Sequence, residues 1–126
     1  MKFLVVDDSS TMRRIVTNCL QRLGYKAWVE AVDGAQALAK FDESIGCIIS
    51  DWNMPNMSGL ELTAAVRAHP AGGKVPILMI TTRAAMADIV AAAQVGASGY
   101  ILKPFDLEQF KAKLNDLLGD ASQAAA

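Results

Sequence analysis

Cys47-Ile48-Ile49-Ser50-Asp51-Trp52-Asn53-Met54-Pro55 is an apolar run that stops at a carboxylate and turns into a loop. Cys47, Ile48 and Ile49 show no polar alternation, which suits a strand covered on both faces, and Pro55 prevents a sheet ladder from simply continuing. Asp51 is therefore expected at the carboxyl end of a buried strand. Ligands of open α/β sheets collect in the crevice outside those ends. Asp51 is accordingly the candidate reactive residue, set against the plainer reading of an aspartate that caps a turn.

Upstream, residues 3–6 form a short apolar run ending in Asp7-Asp8, with Ser9 placed to cap a following helix. Met12, Ile15, Val16, Cys19, Leu20 and Leu23 keep the spacing of one helical face, and Gly24 supplies the stop. Residues 25–31 read as a second strand, and Asp33 with Gln36 resembles a capping box opening a helix through Phe41. Downstream of the third strand, residues 47–50, Ser58 and Glu61 match a capping box, and that helix ends near His69-Pro70. Residues 71–74 are a loop, and Pro76 can only begin the fourth strand, which runs to Thr81-Thr82. An alanine-rich helix over Met86, Ile89, Val90 and Ala93 stops at Gly96, and residues 100–102 make a fifth strand leading into Lys103-Pro104. Asp106 caps the last helix, Phe105 and Phe110 stand at its hydrophobic-staple positions, and Leu107, Leu114, Leu117 and Leu118 complete its inward stripe. Residues 1–119 are read as one domain and 120–126 as a frayed tail.

A chain of 126 residues fits one domain large enough to bury its own core. Twelve basic and 13 acidic residues leave a net charge of -1, which gives no polyanion-binding surface and argues against nucleic acid as a direct partner. Cys19 and Cys47 fall in core positions, favouring free thiols and a cytoplasmic location. The start of the chain is too short in apolar residues for a signal peptide or a membrane span, so a soluble protein is expected. His69 and the six methionines belong to no metal or haem motif and read as packing or loop residues.

Five strand–helix units imply a parallel sheet with helices on both faces. The pattern resembles flavodoxin-like folds, and that resemblance, not the pattern, supplies the strand order 2-1-3-4-5. With that order Asp7, Asp8 and Asp51 converge on one edge, flanked by Thr81 and Lys103. Clustered carboxylates repel one another unless a cation neutralises them, and an all-oxygen set suits Mg²⁺. With the charge screened, Asp51 can attack a phosphoryl group, while Lys103 and Thr81 offer a point charge and a hydroxyl to its oxygens. Singly, each residue has an ordinary structural explanation; the constellation is what carries chemistry.

Asp7-Asp8, Asp51, Thr81 and Lys103-Pro104, spread over essentially the whole chain, resemble the signature of response-regulator receiver domains. More narrowly, Asp8-Ser9-Ser10-Thr11-Met12-Arg13-Arg14-Ile15-Val16, Ser50-Asp51-Trp52-Asn53-Met54-Pro55-Asn56-Met57 and Ala91-Ala92-Ala93-Gln94-Val95-Gly96-Ala97-Ser98-Gly99-Tyr100 are similar to the chemotaxis regulators of that family. The resemblance implies a monomeric signalling switch, not an enzyme acting on a separate substrate. It implies that Asp51 accepts a phosphoryl group from a sensor histidine kinase, and that Asp8, Asp51 and the Asn53 carbonyl bind Mg²⁺ with Asp7 assisting. It further implies that Thr81 and Tyr100 relay the event to a face made by the fourth helix, fifth strand and fifth helix, read by a flagellar motor switch protein. Arg83 departs from the pattern, standing where well-known members carry an acidic residue, and this bears on phosphatase recognition and on the hydrolysis rate.

Two other readings compete. A phosphorelay shuttle or a phosphate sink would share every one of these residues. A Mg²⁺-dependent phosphohydrolase of the haloacid-dehalogenase type also uses a nucleophilic aspartate, but commonly places a second aspartate two residues later as general acid, and Asn53 cannot exchange a proton in that role.

Overall fold

The computed structural model describes residues 1–82 and 85–125, with side chains as far as Gly119. Strands β1 (Lys2–Val6), β2 (Ala27–Ala31), β3 (Ile45–Asp51), β4 (Ile77–Thr81) and β5 (Gly99–Leu102) alternate with helices α1 (Ser10–Arg22), α2 (Gly34–Lys40), α3 (Gly59–Ala68), α4 (Met86–Gln94) and α5 (Leu107–Ala125). All strand pairs are parallel, in the order β2-β1-β3-β4-β5. This is the flavodoxin-like arrangement expected.

The apolar strands feed two layers of core because successive side chains point to opposite faces. Phe3, Val5, Cys47, Ile49, Leu78, Ile80 and Ile101 pack with Val16 and Leu20 of α1 and with Phe110 and Leu114 of α5. On the other face Leu4, Val6, Ile48 and Ile77 meet Ala37 of α2 and Leu62 and Val66 of α3. Met79 turns toward α4 through Trp52 and Ala92. Burying a side chain of this size contributes roughly 1.5–3 kcal/mol, so the central strands β1, β3 and β4 are anchored from both sides.

Helix starts follow the local signals. Ser9 accepts from the Met12 amide, Ser58 and Glu61 form a complete capping box, and Asp106 and Gln109 form another at the start of α5. At α2 the Asp33 side chain accepts the Gln36 amide, but Gln36 reaches back to the amide of Val32 instead of that of Asp33. The Phe105 and Phe110 rings stack at 5.7 Å across the start of α5.

Three boundaries differ from the pattern reading by two residues or more. Strand β2 begins two residues late because the Tyr25 amide is spent on Leu20 O and the Gly24 amide on Gln21 O, a Schellman closure with Gly24 at φ 95. Strand β3 begins at Ile45, and the register to β1 shifts there: Lys2 faces Ile45 while Phe3 faces Cys47, leaving Gly46 as a bulge that breaks the apolar run. The α5 span runs on past Gly119, but there the backbone leaves the helical region at φ 76 and ψ 174, so the span is kinked at that glycine. Of the tail expected at 120–126, the side chains lie outside the described residues. Among the described residues, no helix is long and apolar enough to cross a membrane.

Candidate functional site

Register alone brings the acidic residues together. Val6 of β1 faces Ser50 of β3, so the residues that follow them, Asp7 and Asp51, leave the sheet at the same level. Leu102 of β5 faces Thr81 of β4, which puts Lys103 at the same edge, where its amide donates to Thr81 O at 2.8 Å. Carboxylate oxygens of Asp7, Asp8 and Asp51 lie within 4.8 Å of one another. Asp51 Oδ1 accepts from its neighbour's amide, Trp52 N, at 2.9 Å and from Lys103 Nζ at 2.9 Å. Asp7 Oδ1 accepts from Ser9 N at 2.8 Å, whereas Asp7 Oδ2 is buried with no hydrogen-bond partner among the described residues.

The pocket floor is rigid and tight. The chain leaves Asp51 and returns at Gly59, whose amide donates to Trp52 O at 2.9 Å. A Cβ on Gly59 would stand 2.5 Å from Asp51 O and 3.1 Å from Trp52 Cα, so only glycine admits this approach beneath the carboxylate. The loop between them carries Asn56 in the left-handed region at φ 70, a conformation asparagine tolerates better than most residues.

Burial dominates the electrostatics. Asp7 is 3% exposed, and removal from water pushes its pKa up from 3.8 to about 6. The Ser9 amide and Lys103 pull it down, while the charges of Asp51 and Asp8 push it further up. An orphaned, buried carboxylate oxygen beside two further carboxylates, with oxygen the available donor, fits a small hard divalent cation.

The predicted residues divide by position. Asp7, Asp8, Asp51 and Lys103 meet in the pocket. Thr81 is buried at the end of β4, and Asn53 is exposed in the loop after Asp51. Tyr100 stands apart on β5, half-buried, packed on the Trp52–Met79–Ala92 cluster with Lys113 Nζ 5.1 Å from its ring centre. Arg83 lies outside the described residues. Cys47 is fully buried, and its thiol pKa is pushed up to about 12 by desolvation, so it is inert packing.

One residue at the pocket escaped the sequence reading. Arg13 Nη1 donates to the backbone oxygen of Asp7 at 2.7 Å, and its Nε pairs with Glu30 Oε1 at 3.0 Å. Arg13 also lies inside the first stretch that resembles chemotaxis regulators, but an arginine early in a helix carries no local sign of either contact. Only the pairing of β2 with β1 brings Glu30 within reach.

Comparison with known proteins agrees with this geometry. The model of the response regulator receiver domain matches residues 3–115. A chemotaxis protein CheY homolog of Campylobacter jejuni is 47% identical over 128 residues, spanning 100% of this chain and 98% of the relative. The solved structure of the chemotaxis response regulator CheY4 of Vibrio cholerae is 40% identical, with a TM-score of 0.85 over 92% of this chain and 97% of that one. A receiver domain of a sensor histidine kinase from Pseudomonas aeruginosa PAO1, solved with a magnesium ion coordinated in its active-site cleft, is 28% identical with a TM-score of 0.81 over 94% of this chain and 97% of that one. A sheet that gathers three carboxylates and a lysine at its carboxyl edge, and a sequence alike from end to end, have one explanation: the chain belongs to the response regulator receiver-domain family.

Proposed function

We propose that this domain is a phosphoryl-accepting switch of chemotactic signalling, with Asp51 as the acceptor. The observation that carries the reading is the convergence of Asp7, Asp8 and Asp51 within 4.8 Å, with Lys103 Nζ on Asp51 Oδ1. Asp8, Asp51 and the Asn53 carbonyl would hold Mg²⁺ with Asp7 assisting, and the receiver domain from Pseudomonas, solved with magnesium in its active-site cleft, supports a Mg²⁺ site here. Bound there, the ion supplies charge neutralisation of the carboxylates and of a phosphoryl oxygen.

The chain's own part is a nucleophilic displacement. An Asp51 carboxylate oxygen attacks phosphorus of a phosphohistidine on a sensor kinase; the P–O bond forms, the P–N bond breaks, and the imidazole leaves with the bonding electrons and takes up a proton. Negative charge then moves from the carboxylate to the phosphoryl oxygens, and the Lys103 ammonium follows it. The Thr81 hydroxyl donates to another of those oxygens. Tyr100, beside Met79 in the sheet register, converts the shift of Thr81 into a changed surface for a partner, and the likeness to chemotaxis CheY homologs supports a flagellar motor switch protein as that partner. The same likeness favours this reading over a haloacid-dehalogenase-type phosphohydrolase, which Asn53 also disfavours.

The test is labelling of Asp51→Asn. The amide is not a competent nucleophile, so the variant should keep its fold and take up no phosphoryl group from acetyl phosphate or from a phosphorylated kinase. Labelling of the variant at the wild-type rate would place the acceptor elsewhere.

A further inference from the structure

We infer that Arg13 is a positioning residue for the acidic pocket, holding the peptide that joins Asp7 to Asp8 so that both carboxylates face Asp51. The inference rests on the metal reading above and extends it to a residue that touches neither carboxylate. Asp7 and Asp8 are consecutive, so one peptide plane sets the base of both side chains, and its oxygen, Asp7 O, receives Arg13 Nη1 at 2.7 Å. The guanidinium is itself fixed. Its Nε pairs with Glu30 Oε1 at 3.0 Å, and the Arg13 side chain is 16% exposed. Glu30 is braced in turn through its backbone oxygen, which accepts from Lys40 Nζ at 2.6 Å. The planar fork thus spans α1, the end of β1 and β2 with two bonds of fixed mutual angle, which a lysine ammonium cannot reproduce.

The arrangement is built for geometry, not for charge. A cation beside a Mg²⁺ site opposes the ion, and here the Arg13 charge is answered by Glu30. Removing Arg13 should therefore tighten Mg²⁺ binding if its charge were what mattered, and weaken it if its hold on Asp7 O is what matters. The two roles predict opposite signs.

The experiment is titration of the full chain with MgCl₂, read by the emission of Trp52, which directly follows Asp51 and is 5% exposed, alongside thermal unfolding without metal. Arg13→Ala should weaken Mg²⁺ affinity about tenfold, in line with losing a residue that orients a ligand, and Arg13→Lys should fall between it and wild type. Unchanged or tighter Mg²⁺ affinity in Arg13→Ala overturns the inference, even if the melting temperature falls, because a merely structural brace would lower stability and leave the affinity alone. If Arg13→Ala does not fold, Arg13→Lys decides: wild-type affinity overturns the inference, weaker affinity supports it. A wild-type protein indifferent to Mg²⁺ overturns the metal reading itself, an outcome distinct from wild-type binding that Arg13→Ala retains.

Discussion

Replacing Asp7 by asparagine should make the metal-free protein more stable at neutral pH, although it removes a residue from the functional pocket. Asparagine keeps the Oδ1 that accepts the Ser9 amide, and it puts an NH₂ group where Asp7 Oδ2 is now buried without a partner. The magnitude follows from the carboxyl's acidity. A rise from 3.8 to about 6 means that the folded state holds this proton more tightly than the unfolded chain does. The penalty on folding is absent below 3.8, grows as pH rises, and is complete above about 6, where it reaches at most about 3 kcal/mol. At pH 7.5 the variant should gain up to that amount, roughly 10 °C in Tm for a domain of this size. At pH 4.5 the gain should shrink to about 1 kcal/mol, because Asp7 is then protonated in the folded protein.

Urea unfolding of both proteins in EDTA, at several pH values between 4.5 and 7.5, measures the difference directly. Mg²⁺ then provides the converse. At about one hundred times Kd, wild type gains about 2.7 kcal/mol by mass action, and the variant, lacking one ligand, gains less, so the gap closes. A variant no more stable than wild type in EDTA at pH 7.5, or a gap that does not change with pH, would refute the assignment of the penalty to Asp7.

Lys103→Ala should reduce the partner-binding response to phosphorylation more than it reduces Mg²⁺ affinity, since its ammonium follows the transferred charge; equal losses in a titration and a binding assay would count against it. Tyr100→Ala should abolish the gain in partner affinity on phosphorylation, measured by pull-down with and without a phosphoryl mimic on Asp51, and an unchanged gain would remove Tyr100 from the relay. Gly59→Ala should destabilise by about 1–3 kcal/mol through overpacking and slow labelling by acetyl phosphate, because the new methyl meets Asp51 O and Trp52 Cα; a wild-type labelling rate would show that the loop absorbs it without moving Asp51.

What was legible in the chain was what is local. The apolar run ending at Asp51 revealed a buried strand whose carboxyl end carries the candidate nucleophile, and Ser9, Ser58 and Asp106 marked helix starts through bonds to residues three positions on. What was not legible depends on register. The strand order had to be borrowed from a resemblance, because five alternating units are compatible with more than one order. The pattern starts the third strand at Cys47, and the bulge at Gly46 that lets β3 begin at Ile45 shows only in the pairing with β1. Arg67, which the sequence reading did not single out, donates to Gly96 O, Gly72 O and Val75 O and ties α3 to the end of α4 and to the loop before β4. Nothing within one turn of Arg67 or Arg13 signals partners that the fold supplies.

Under the proposed function, the pocket's charge balance lets one sheet edge both bind an ion and report a chemical event. Among the described residues, three ionised carboxylates against one ammonium leave two negative charges, the deficit a divalent cation would restore. The deficit is costly because backbone donors are few: Asp7 Oδ1 has the Ser9 amide, and Asp7 Oδ2 has nothing. Under the proposed chemistry, transfer of a phosphoryl group empties the charge from the Asp51 carboxyl and moves it outward by one atom layer. Lys103 then loses the reason to stay on Asp51 Oδ1, where it now stands at 2.9 Å. Its backbone is not equally free to move, since its amide is bonded to Thr81 O. A pull on the ammonium is thus transmitted to the ends of β4 and β5 together. Tyr100, three residues before Lys103 and packed on Trp52 and Met79, lies on the strand that would receive the pull, so under the proposed chemistry a change of charge at Asp51 would reach the surface by way of a lysine side chain and one backbone hydrogen bond.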